Sequence, residues 1–243
     1  MTRPFTETPD FGTTRINLDI GGHGGFILQP TDGGDPGPWA WYAPSFVDRL
    51  PKPRHVWTIS RLLAAGFSVC GVDVGESWGN PYGRGIFTNF HDACVSEFGL
   101  ASKACLWCQS RGGLMHYNWA AEHPDLVKCI AGVYPLVNAN ASKFVPRLSE
   151  AYGMPEPAFV SILADNNPVQ RLAPLAEAGV PIFHVHGEAD EVVPLEQNSA
   201  ELARRYEALG GSVGVLRVPG KGHEEVREFF ECPELVEFFL QQK

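Results

Sequence analysis

The sequence predicts an α/β protein, a mostly parallel sheet of about eight strands covered by helices on both faces. Three observations predict it. Short apolar runs alternate with helical patterns through most of the 243 residues. Those runs are apolar at consecutive positions, as strands buried on both faces require. Glycine, proline and polar residues punctuate the joints between them.

The elements follow in order. Residues 13–20 and 26–29 flank Gly21, Gly22, Gly24 and Gly25 and read as an antiparallel hairpin. Residues 31–38 are a Gly/Pro/Asp loop, and the aromatic run 39–42 is a short strand stopped by Pro44. A helix over 55–65 closes at Gly66, and 67–74 is a buried strand. The pattern continues with a helix over 85–98, a strand over 103–109, a helix over 112–122 and a strand over 127–134. Residues 181–186 form a strand, 195–209 a helix, 213–218 the last strand, and 224–241 a helix broken at Pro233. Residues 135–179 interrupt this rhythm with several prolines and no clean strand. A segment that long predicts a small helical insertion after the sixth strand, either a cap or lid over the sheet edge or a packing elaboration. The whole of 1–243 reads as one domain carrying it, a length one core can serve.

Bulk properties exclude several function classes. Apolar content of 44% and charged content of 19% fit a folded chain rather than a disordered one. A formal charge of −9 with no Lys/Arg run argues against a nucleic-acid surface. No stretch reaches the roughly 18 apolar residues of a membrane span, and residues 1–11 lack the apolar core of a signal peptide. The compartment is therefore the cytoplasm, or outside the cell after removal of a signal. The six cysteines sit mostly in strand runs and read as buried thiols. Cys105 and Cys108 have redox-like spacing, but along a strand they point to opposite faces.

The chemistry concentrates at three loops. In residues 106–113, LWCQSRGG, an apolar strand runs into Ser110 and a helix follows at once. A nucleophile elbow needs this sharp turn, with small residues two before and two after the serine. Gly112 satisfies one side, and Cys108 stands where glycine is usual. The helix N-terminus favours a developing oxyanion; the bland alternative is that Ser110 only caps that helix. Residues 186–194, HGEADEVVP, follow a late strand and offer Asp190, with Glu188 and Glu191 as alternative carboxylates. His223 follows the last strand, or else is a surface-loop histidine. The order Ser, Asp, His is that of a serine-nucleophile α/β enzyme. All three lie past the carboxyl ends of strands, an edge where distant residues converge.

With these motifs in place, the chain resembles the α/β-hydrolase superfamily, nearest to serine esterases of its dienelactone-hydrolase-like and prolyl-peptidase-like branches. The likeness in element order spans residues 39–239. It implies Ser110 as nucleophile, Asp190 as acid and His223 as base. Dienelactone hydrolases carry Cys at the nucleophile and haloalkane dehalogenases and epoxide hydrolases carry Asp, so Ser110 favours acyl transfer. The resemblance places oxyanion donors at the N–H of Arg111 and at one N–H after residue 42. The His-Gly often seen there is replaced by Ala43, Pro44 and Ser45; proline has no N–H, which leaves Ser45, with Ala43 open.

Trp78 and Arg84 in the Gly-rich segment 73–84, together with Tyr134, are candidate substrate contacts; a self-bonded loop is the alternative for that segment. Arg111 could grip a substrate carboxylate or make a structural ion pair. The H-x-H of His184 and His186 has ligand spacing but no completing cluster, so no metal and no cofactor are implied. His116 reads as a core residue. The implied partner is a small-molecule ester, with a short acyl group or a sugar suggested by Trp39, Trp41, Tyr42, Trp78 and Tyr134 as stacking faces. A small serine peptidase and a non-catalytic binding protein of the same fold are the alternatives.

Overall fold

The computed structural model describes residues 5–31, 36–45, 52–140 and 142–243. Its described strands are β1 Phe5–Asp10, β2 Thr13–Asp19, β3 Gly24–Gln29, β4 Trp39–Ala43, β5 Ser68–Val72, β6 Ala104–Gln109, β7 Val127–Val133, β8 Ile182–Gly187 and β9 Val213–Val218. They form a nine-stranded sheet in the order β1-β2-β3-β5-β4-β6-β7-β8-β9. The pairs from β5 to β9 are parallel, and β1, β2 and β3 add on antiparallel. The helices are α1 Val56–Ala64, α2 Pro81–Phe98, α3 Gly112–Glu122, α4 Val145–Ala151, α5 Glu156–Ser161, α6 Ala173–Glu177, α7 Ser199–Ala208, α8 Arg227–Phe230 and α9 Pro233–Leu240. This is an α/β-hydrolase fold.

Two differences from the sequence expectation have local causes. The ninth strand, β1, is an edge strand of polar and exposed residues with Pro9 in it, so it carries none of the apolar run that marks a buried strand. Counting it moves the helical insertion from after the sixth strand to after the seventh. Helix α2 starts at Pro81 rather than residue 85, because the Asn80 side chain accepts a 2.8 Å bond from Gly83 N–H and Pro81 takes the first helical position.

Alternate strand residues feed two cores. On one face Trp39, Trp41, Leu106, Cys108 and Ile130 pack with α2, α3 and α7; on the other Tyr42, Val69, Cys105, Trp107 and Val185 pack with α1, α8 and α9. Cys105 and Cys108 thus lie in different cores, and all six cysteines are buried free thiols. Trp41 is the centre of the first core, with ring centroids of Phe87 at 4.8 Å, Trp119 at 5.0 Å and Phe90 at 5.3 Å. His116 packs edge-on against the same ring at 5.3 Å, and burial lowers its pKa to about 3, so it is a neutral core residue. In the insertion, Leu148 and Phe159 form a third cluster with Trp78, Leu114 and Val193. Among the described residues, no helix is long and apolar enough to cross a membrane.

Helix α3 presses closely on the end of β4: a Cβ at Gly112 would lie 2.1 Å from the Ala43 carbonyl oxygen. Backbone on one side and helix on the other leave no flexible atom to yield. Gly112→Ala is expected to lower unfolding free energy by about 1–3 kcal/mol or more, read from urea denaturation. An unchanged midpoint would show that the helix can slide without cost.

Candidate active site

Strands β6, β8 and β9 end on one edge of the sheet, and each delivers one of the three residues named from sequence. Ser110 follows β6 directly and has φ +50°, a left-handed conformation that non-glycine residues rarely adopt. Three backbone bonds hold it: Ser110 N–H donates to Val133 O at 3.1 Å, Leu136 N–H to Ser110 O at 2.7 Å, and Gly113 N–H to Ser110 O at 2.9 Å.

The loops after β8 and β9 are zipped together. Glu188 N–H donates to Val218 O at 3.1 Å and Ala189 N–H to Lys221 O at 2.9 Å. A Cβ at Gly187 would sit 2.2 Å from Lys221 O, so the His186-Gly187 pair owes its glycine to this approach. The zipper brings Asp190 Oδ2 to 2.7 Å from His223 Nδ1, and His223 Nε2 lies 2.9 Å from Ser110 Oγ. Of the three carboxylates near this loop, Asp190 is the one that meets the imidazole. Its other oxygen accepts Val192 N–H at 2.9 Å and Val193 N–H at 2.7 Å. Burial would raise the Asp190 pKa, but bonds from His186, His223 and Val193 N–H outweigh it and hold the carboxyl well below the usual range. An ionised Asp190 fixes the proton on His223 Nδ1, so Nε2 accepts from the Ser110 hydroxyl.

Two buried hydrogen-bond chains end at this triplet. In the first, His186 Nε2–H donates to Val193 O at 2.8 Å and stands 3.4 Å from Asp190 Oδ2. His186 Nδ1 then accepts the Ser199 hydroxyl at 2.7 Å, Ser199 Oγ accepts His184 Nδ1–H at 2.9 Å, and His184 Nε2 accepts the Tyr117 hydroxyl at 2.8 Å. Every donor finds one acceptor, which fixes both tautomers. Burial, then the neighbouring His186, lowers the His184 pKa to about 3, so that ring stays neutral. This network occupies the H-x-H pair. In the second chain, Lys52 N–H donates to His55 Nδ1 at 3.2 Å and His55 Nε2–H to the Tyr42 hydroxyl at 3.1 Å. Tyr42 donates to Gln109 Oε1, and Gln109 Nε2–H donates to the Tyr134 hydroxyl at 2.8 Å. The Tyr134 ring lies 4.4 Å from the His223 ring.

The other sequence candidates separate. Trp78 lines a cavity of about 380 Å³ beside Ser110, together with Phe144 and Arg147. Arg84 does not reach it: its guanidinium is spent on Glu122 at 3.1 Å, the Gly79 carbonyl at 2.9 Å and Asn166 at 3.1 Å, tying the 75–80 loop to the insertion. Tyr134 is buried, its ring 4.4 Å from that of His223, and it does not line this cavity. The Arg111 side chain forms a two-pronged pair with Glu76 at 2.7 and 2.8 Å, the structural ion pair rather than a free grip. Its residue opens α3 beside Ser110. Ser45 is buried at the end of β4, its hydroxyl bonded to Tyr42 O at 2.5 Å. Trp39 and Trp41 are fully buried and Tyr42 is turned to Gln109, so the aromatic supply read as stacking faces reduces to Trp78.

The fold and this site define a serine hydrolase of the α/β-hydrolase fold. The chain belongs to the prolyl oligopeptidase family, whose model matches residues 87–242. No curated protein matches the sequence. Among solved structures, Est1E from Butyrivibrio proteoclasticus is similar at TM-score 0.67 and 15% identity, covering 98% of both chains. An S-formylglutathione hydrolase from Agrobacterium tumefaciens is similar at 0.70 and 14%, again covering 98% of both. A provisionally assigned dipeptidyl aminopeptidase IV from Bacteroides ovatus is similar at 0.75 and 10%; 99% of this chain spans 35% of that one.

Ser199→Ala leaves two imidazole nitrogens without partners, and each stranded group is expected to cost about 1–3 kcal/mol in urea unfolding. An unaltered midpoint would mean that the chain contributes no net stability. Because the folded pKa of Asp190 is depressed, its stabilisation is complete above the ordinary carboxylate pKa of about 4 and is lost as pH falls towards the folded value. Asp190→Asn should therefore show a shallower acid limb in stability against pH than wild type; parallel limbs would contradict the depressed pKa.

Proposed function

We propose that the protein hydrolyses carboxylic esters through an acyl-enzyme on Ser110. The observation that carries this reading is the continuous line Ser110 Oγ, His223, Asp190 with 2.9 and 2.7 Å links at a left-handed elbow. His223 Nε2 removes the hydroxyl proton as Ser110 Oγ attacks the carbonyl carbon. Asp190 stabilises the imidazolium, and the proton then passes to the departing alcohol. The N–H groups of Arg111 and Ser45 receive the oxyanion; helix α3 starts at that point, and its unpaired N-terminal dipoles favour negative charge. Water enters by the same route in reverse and frees the acid. The protein acts as one domain, with residues 135–179 as a cap over the cavity.

Ester cleavage is favoured over peptide cleavage by the end-to-end likeness to Est1E and to the formylglutathione hydrolase. The family itself supports a second reading, a small serine peptidase. Wild type should turn over 4-nitrophenyl acetate and butyrate with an initial burst, and Ser110→Ala should lose about four orders of magnitude or more in kcat/KM. Fluorophosphonate should label wild type at Ser110. Cleavage of aminoacyl 4-nitroanilides without ester turnover would replace the esterase reading by the peptidase one. An enzyme inert to all three reagents would be a binding protein on a hydrolase scaffold.

A further inference from the structure

The cavity beside Ser110 has two properties that the catalytic line does not explain. First, its lining includes Ser110 and Arg111 but not His223. A leaving alcohol must stand at His223 Nε2 to collect its proton, and the oxyanion must face the start of α3. The remaining substituent of the carbonyl, the acyl chain, is the part that a cavity without His223 accommodates. Second, its charges do not cancel. Glu76 and Arg111 neutralise each other in their two-pronged pair. Arg147 on α4 is exposed at the lining and, among the described residues, has no hydrogen bond or ion pair. The lining therefore carries one unbalanced positive charge in a chain whose formal charge is −9. Lys143, outside the lining, bonds the Glu191 carbonyl at 2.8 Å and lies 5.3 Å from the Phe144 ring. The lining also has an apolar part: the Trp78 and Phe144 rings pack together, tilted, at 6.2 Å, beside Leu136, Val192 and Val193.

We infer that the acyl group of the substrate carries a carboxylate, held by Arg147, on an apolar body lying against Trp78 and Phe144. This rests on the ester-hydrolase reading and specifies its acyl side. The guanidinium fork matches a carboxylate with two parallel N–H bonds. The cavity volume of about 380 Å³ suits an acyl chain of a half-ester of a dicarboxylic acid. The proton and electron accounting is that of the hydrolysis above; the distal carboxylate takes no part in bond making or breaking.

The test compares 4-nitrophenyl hemiadipate with the 4-nitrophenyl ester of adipamic acid, which has the same shape and no charge, after subtracting uncatalysed hydrolysis. In wild type kcat/KM should favour the carboxylate by about tenfold or more, as a charge-assisted bond implies, and the preference should shrink with added salt. The ratio of the two substrates should fall towards one in Arg147→Gln, invert in Arg147→Glu, and partly survive in Arg147→Lys. Arg147 is exposed, so these variants keep the fold. Equal rates for both esters in wild type, or a ratio unmoved by Arg147→Gln, would overturn the acyl assignment and leave ester hydrolysis standing. Turnover of neither ester alongside anilide cleavage would overturn both.

Discussion

The left-handed backbone at Ser110 is the constraint on which the site depends. A non-glycine residue there costs of order 1–3 kcal/mol and persists only when its surroundings over-determine it. Here they do. The serine N–H and C=O are bonded to β7 and to the chain just after it. Helix α3 cannot rotate away, because Gly112 rests on the Ala43 carbonyl and a Cβ at Gly113 would meet Leu136 O at 2.5 Å. The strain is thus held by packing that extends to both neighbouring strands, and the hydroxyl is presented at the sheet edge with little freedom to retreat.

The imidazole is fixed by a different device. One face and the Nδ1 of the ring are addressed by groups whose own orientations are set by buried hydrogen-bond chains. Tyr134 lies against the ring and is pinned through Gln109, Tyr42 and His55. Asp190 accepts from the ring and is flanked by His186, which is pinned through Ser199, His184 and Tyr117. A buried polar network is costly when any member lacks a partner. These two are satisfied in a single donor direction, so they specify one arrangement instead of several. The His55 and His184 rings stay neutral because burial dominates, both pKa values being lowered to about 3. Changes of pH in the ordinary range therefore leave the supports alone.

Much of this was legible in the sequence, for reasons that differ by element. Buried strands announce themselves because both faces are apolar, and Ser110, Asp190 and His223 follow strand ends, where the fold converges. β1 is illegible because an exposed edge strand needs no apolar pattern. Residue type and position near the edge say nothing about which way a side chain turns, so the partners of Arg84 and Tyr134 were not legible. Trp39 and Trp41 alternate correctly for a strand, but alternation cannot reveal that their shared face is roofed by α2 and α3. Ser199 lay hidden as an ordinary helix-start serine. Gln109 carried a faint signal, a buried amide directly before the nucleophile with nothing in sequence to pair it. Arg147 carried none, because it sits in the insertion, where no motif ties a residue to the distant elbow.

The division of the site between its two sides follows from where the charges reside. Asp190 is buried and ionised, yet its charge is matched locally by two backbone N–H groups and His223 Nδ1–H. It therefore projects little negative field into the cavity. Glu76, exposed, is paired with Arg111 at 2.7 Å. Among the charged residues of the lining, Glu76 and Arg111 pair with each other, and Arg147 is the one left over, near the start of α3. A tetrahedral oxyanion and an anionic acyl group are stabilised by the same sign of charge.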